Sequence, residues 1–156
     1  YSGGGKKMIY QYENEKTMDL VAPRIYGLNQ NHKHLPEIKK VCGLEKDVFL
    51  NPIVCDYYRG MAVSLNVEMD CEKIYLALKD WYKDAKLIQV EKTDSGMISA
   101  NTMAGLDCMK LVVSGNSQRC TITSLFDNLG KGACGAAIQN MNIMLGFKVE
   151  EGLNIE

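Results

Sequence analysis

Both histidines of the 156-residue chain, His32 and His34, stand two apart in "NQNHKHLPEI" (29–38), just ahead of a proline. In extended backbone that spacing puts both rings on one face. Histidine is the side chain whose ordinary pKa lies near neutrality, so the pair suits general acid–base catalysis. A metal pair would need third and fourth ligands, and the neighbouring residues are not spaced to supply them. Two solvated rings beside "LPEI" are the remaining reading.

A base needs a group to act on. The chain has no G-x-S-x-G elbow and no Ser-His-Asp order. Its six cysteines, Cys42, Cys55, Cys71, Cys108, Cys120 and Cys134, are widely scattered, without a C-x-x-C pair. None stands at a helix start that would obviously depress its pKa, and Cys120 in "RCTITSL" reads as a buried, inert thiol. The residues alone offer a base without a nucleophile.

Two glycine-rich stretches could meet a phosphate. "SGGGKK", from Ser2 to Lys7, leaves backbone amides free of side-chain bulk beside two ammonium groups, but lacks the spacing of a P-loop. "DNLGKGACGAA" places Gly132 and Gly135 where a helix begins, so free amides could face a ligand. Tight helix packing through small residues accounts for the same glycines. Arg59 in "YYRGM" could grip a carboxylate or phosphate bidentately, or be a surface charge between two strands.

The elements around these residues follow from periodicity. "LPEIKKVCG" predicts a short helix with Pro36 in its first turn and Gly43 ending it. β-Branched and aromatic residues predict strands over roughly 47–56 and 60–68. "CEKIYLALKDWYKD" predicts an amphipathic helix whose core stripe is Ile74, Leu78, Trp81 and Tyr82. "LIQVEK" predicts a strand, and "KLVVSG" and "RCTITSLF" two more joined by a Gly-Asn turn. "GACGAAIQNMNIMLGF" predicts a terminal helix, whereas residues 1–23 read as irregular. The order implies one α+β domain over residues 1–156, with a mixed, largely antiparallel sheet and helices on one face.

Composition narrows the partners. Lys and Arg number 18 against 19 Asp and Glu, giving a net charge of −1 and no basic field for nucleic acid or an anionic membrane. No apolar run reaches the ~20 residues of a membrane span, and the amino terminus lacks a signal-peptide core. Scattered cysteines without such a signal fit a reducing cytoplasm. Opening on "YSGGGKK", without a methionine, reads as an excised piece of a longer protein.

In this order, "SGGGKK", "NHKHLPEI", "YYRGM" and "SLFDNLGKGACGAAIQNMNIMLGF" resemble the second half of the N-acetyl-gamma-glutamyl-phosphate reductase family. Its versions read approximately S-G-A-G-R, G-H-x-H-x-P-E-I, N-R-G and D-N-L-x-K-G-A-x-G-x-A-x-Q-N-x-N. The last is long and specific, and the likeness runs from residue 2 to about 153. The resemblance implies the catalytic, dimerising half of a glyceraldehyde-3-phosphate dehydrogenase-like enzyme. It also implies a Rossmann half, absent here, that binds most of the NADP and carries the nucleophilic cysteine. On that footing the chain is inactive alone and self-associates as a homo-dimer or tetramer, and its substrate is a small acyl phosphate of arginine biosynthesis. No metal, nucleic acid or membrane enters.

Residue by residue, the resemblance implies that His32 and His34 are base and substrate contact in unassigned order, and that Arg59 is a contact for an anionic group. Ser2, Gly3, Gly132, Ala133, Gly135 and Asn140 fall on the cofactor side. There are departures from the pattern: Asn31 and Tyr58 replace a glycine and an asparagine, and "AGLDC" stands where the family tends to read R-G-(S/T)-N-x-C, losing an arginine and placing Asp107 where an asparagine is usual. The alternative is a non-catalytic dimerisation module of the same fold.

Overall fold

Polar sequence near the amino terminus folds more regularly than its composition predicts. The computed structural model describes the backbone of residues 2–3 and 6–156, and side chains from Met8 onward. It comprises two compact units, residues 1–56 and 57–156. In the first, β1 (Ser2–Gly3) precedes α1 (Lys6–Asn14), α2 (Met18–Val21), β2 (Arg24–Ile25), α3 (His34–Val41) and β3 (Ile53–Cys55). β3 lies between β1, parallel, and β2, antiparallel.

Two expectations for this unit are corrected. Helix α1 stands where irregular chain was expected. Among its described side chains Met8 and Tyr12, an i, i+4 pair, are half-buried, and Arg24 donates to the Tyr12 hydroxyl (3.2 Å) while lying over its ring. So short a stripe gives little periodic signal. The strand expected over 47–56 shrinks to three residues. Gln30 takes the place of a neighbouring strand for Leu50: its Nε2 donates to Leu50 O and its Oε1 accepts from Leu50 N, both at 3.1 Å. Pro52, lacking an N–H, cannot extend the ladder backwards.

The second unit follows its sequence pattern closely. β4 (Met61–Val67) leads into α4 (Cys71–Trp81), then β5 (Ile88–Lys92), β6 (Met109–Gly115) and β7 (Cys120–Phe126). β7 pairs antiparallel with both β4 and β6, and β5 lies parallel on the far side of β6. Sheet and helices thus form the mixed α+β arrangement expected. Asp70 caps α4, its Oδ1 accepting from Glu72 N at 2.8 Å.

Alternation along β6 divides the core. Val113 faces α4 with Cys71, Ile74, Leu78, Cys120 and Ile122, whereas Val112 packs on the other face with Met103, Cys108 and Leu125. The stripe of α4 is therefore Cys71, Ile74, Tyr75 and Leu78; Trp81, expected in it, is 80% exposed. It lies one turn past Leu78, at the end of the helix, beyond the sheet residues that cover the stripe. After β7 a π-helical turn (Gly130–Cys134) runs directly into α5 (Gly135–Leu145), which Gly146 closes in a left-handed conformation. Among the described residues no helix is long and apolar enough to cross a membrane.

Candidate functional site

The histidines are held by the start of a helix. His34 opens α3, and its backbone N–H donates to Nδ1 of His32 at 3.3 Å. The rings meet edge to face with centroids 4.8 Å apart, and Tyr26 tilts against His32 at 5.8 Å. His32 is half-buried and His34 exposed. With Nδ1 accepting, a neutral His32 carries its proton on Nε2 and presents a donor. No described residue hydrogen-bonds to the ring nitrogens of His34, which leaves one of them able to accept a proton. α3 and the segment 47–49 bound a cavity of about 400 Å³, lined by Leu35, Pro36 and Phe49 among others and by neither histidine.

In the second unit one carboxylate organises everything near Arg59. Asp127, fully buried, accepts from the backbone N–H groups of Leu129 (2.8 Å), Gly130 (3.0 Å) and Gly105. Its Oδ2 lies 2.7 Å from Nε of Arg59. That contact is close but off the N–H direction, so it is an ion pair rather than an aligned hydrogen bond. Burial alone would push the Asp127 carboxyl up; the three N–H donors and the guanidinium outweigh it and hold the group below the usual carboxylate range. The next residue, Asn128, accepts from Gly60 N at 2.7 Å. Sequence reasoning singled out Arg59 and missed Asp127 and Asn128. Their signal was present, because both open the long "DNLGKGACGAA" motif.

The glycines of that motif are explained by packing. A Cβ on Gly135 would sit on Oδ1 of Asp107, and one on Gly130 would come within 2.8 Å of the same atom. Asp107 is itself fixed: its Oδ2 accepts from Asn154 N at 3.0 Å. The amides expected to face a ligand already have partners, since Gly132 N donates to Asp127 O (2.8 Å) and Gly135 N to Gly130 O. Gly132, Ala133 and Asn140 are exposed, whereas Gly135 is buried. A dinucleotide could therefore meet the surface of this segment through Gly132, Ala133 and Asn140, but not through Gly135. Ser2 and Gly3 form β1; the side chain of Ser2, with Gly4 and Gly5, lies outside the described residues. Lys131, also unpredicted, donates to Gln139, and burial pushes its ammonium pKa down.

The cysteines supply no evident nucleophile. Burial pushes the thiols of Cys55, Cys108 and Cys120 up, away from the reactive thiolate. Cys134 donates its thiol proton to Leu129 O at 2.9 Å. Among the described residues no group of three or more His, Cys, Asp or Glu side chains is placed to hold a metal ion.

This sheet, its covering helix and the histidine-bearing segment define a class. The chain belongs to the semialdehyde dehydrogenase dimerisation-domain family, which it matches over residues 1–128. Its relatives include the N-acetyl-gamma-glutamyl-phosphate reductases of Sinorhizobium medicae, 40% identical over 93% of this chain, and Brucella ovis, 35% identical over 94%. The chain spans 52% of the length of each, about half. The fold is shared with aspartate semialdehyde dehydrogenase II from Vibrio cholerae, solved with ASA bound. The TM-score is 0.55 at 17% identity, covering 72% of this chain and 35% of that one.

Proposed function

We propose that this chain is the substrate-side, self-associating part of a cytoplasmic, NADP-dependent reductase. It would convert N-acetyl-glutamyl 5-phosphate to N-acetyl-glutamate 5-semialdehyde and phosphate, in arginine biosynthesis. The relatives' names and the 40% identity support the reaction, and the family's description supports association into a homo-dimer or larger oligomer. The observation that carries the reading is the histidine pair, one ring presenting a donor and the other free to accept a proton.

In this reading a nucleotide-binding half carries the cysteine. His34 takes the thiol proton, the thiolate forms a C–S bond to the acyl carbon, and phosphate leaves with the C–O bonding pair. Bound NADPH would supply the hydride for the thioester carbon, after which the C–S bond breaks, its electron pair returns to the cysteine sulfur and the semialdehyde is released. Nε2–H of His32 donates to the oxygen on which negative charge develops, and Arg59 holds an anionic group of the substrate. Gly132, Ala133 and Asn140 line the cofactor side, and Ser2 and Gly3 belong to the same side.

Joined behind the first half of the Sinorhizobium medicae relative, the chain should support NADPH-dependent reduction of the acyl phosphate. His32→Ala and His34→Ala should each lower turnover by at least ~100-fold. A joined protein that folds and self-associates but never oxidises NADPH would point instead to a non-catalytic dimerisation module.

A further inference from the structure

Arg59 is fixed at two points by two consecutive residues. Asp127 takes its Nε at 2.7 Å, and Asn128 takes the N–H of the following residue, Gly60, at 2.7 Å. Gly60 adopts φ +119°, and a Cβ there would come within 2.6 Å of Asn101 Cα, so the backbone beside Arg59 is wedged as well as bonded. A guanidinium is planar, and the ion pair at Nε restricts where its two Nη groups can point, although the Nε–H itself is not aligned on the carboxylate. Asp127 already has three backbone donors, and Arg59 adds charge balance at this buried carboxylate. Yet its side chain stays 37% exposed, with no described residue hydrogen-bonded to either Nη. A group held by its inner nitrogen with its outer edge open is arranged to grip an oxyanion.

We propose that Asp127 and Asn128 are positioning residues that aim the Nη edge of Arg59 at an oxyanion of the substrate, a carboxylate or a phosphoryl group. The inference rests on reading Arg59 as a substrate contact, and it assigns the "DN" that opens the glycine-rich motif to that task. Asp127 never touches the substrate; it acts through the guanidinium.

The test follows the Arg59 Nε–H signal and its exchange rate by NMR in the full chain, titrated with inorganic phosphate and separately with acetate. In the wild type one of these anions should shift the signal saturably, and which one does so tells the phosphoryl end from the carboxylate end. Arg59→Lys, which lacks that signal and is followed through the backbone amides of residues 59 and 60, should lose the saturable response to either anion. Asp127→Asn keeps the shape and should speed Nε–H exchange and weaken anion binding on the order of tenfold. Asn128→Ala, which leaves the buried carboxylate intact, should weaken binding in the same direction and serves if Asp127→Asn does not fold. Wild-type affinity and exchange in both variants, with Arg59→Lys still failing to bind, would overturn the positioning role and leave Arg59 as an anion contact. A wild-type signal indifferent to both anions would overturn the Arg59 reading and the proposal with it.

Discussion

The two units hold their chemistry-bearing residues in opposite ways. His32 and His34 sit at a solvent-facing helix start, tied by one 3.3 Å hydrogen bond and two ring contacts. Arg59 is anchored to a fully buried carboxylate that also fastens Gly105, Leu129 and Gly130. In the first region the candidate site residues support little of the fold; in the second, the contacts that hold the fold also hold the candidate site residue Arg59. Substitutions should therefore separate activity from stability in one region and merge them in the other.

The sharpest way to break that contrast is at Asp127. Asp127→Ala strands a cation and three backbone donors, and should lower the free energy of unfolding by about 3–5 kcal/mol in urea titrations. A loss below ~1 kcal/mol would mean the carboxylate is not the hub described here. Gly135→Ala forces a methyl onto Asp107 and should cost about 1–3 kcal/mol. Adding Asp107→Ala removes the obstacle, so the double variant should be more stable than the sum of the single changes predicts.

A pH dependence sharpens the same point. The folded Asp127 carboxyl titrates below its unfolded value, so its stabilisation is complete above the ordinary carboxylate range and is lost as pH falls through the folded pKa. Thermal melts of Asp127→Asn should show a shallower acid limb than the wild type; identical limbs would assign the acid sensitivity elsewhere. In the first unit, Gln30→Ala removes both bonds to Leu50 and should cost about 1 kcal/mol, seen as faster amide exchange at Leu50. His34→Ala should change stability least, by under ~0.5 kcal/mol, while removing turnover in the joined enzyme.

Much of the second unit was legible beforehand because its signals are local and periodic. Apolar spacing marks α4, and alternating β-branched residues around a turn mark β6 and β7. The first unit was harder. Among its described side chains helix α1 has a half-buried stripe of two residues, and the stretch before Pro52 looks like a strand but is bonded to a glutamine side chain instead.

By itself the sequence determined the class of fold, the family, and which residues could do chemistry, since residue type, period and motif order are properties of the chain. Tertiary structure decided what the residues meet. Trp81 lies outside the core because the sheet covers α4 only as far as Leu78. Gly135 is required by Asp107, twenty-eight positions earlier. Arg59 is oriented by Asp127, and nothing in the spacing of two residues so far apart states that their side chains will touch. Hydrogen bonds and ion pairs act over about 3 Å, and only the folded backbone brings distant positions that close.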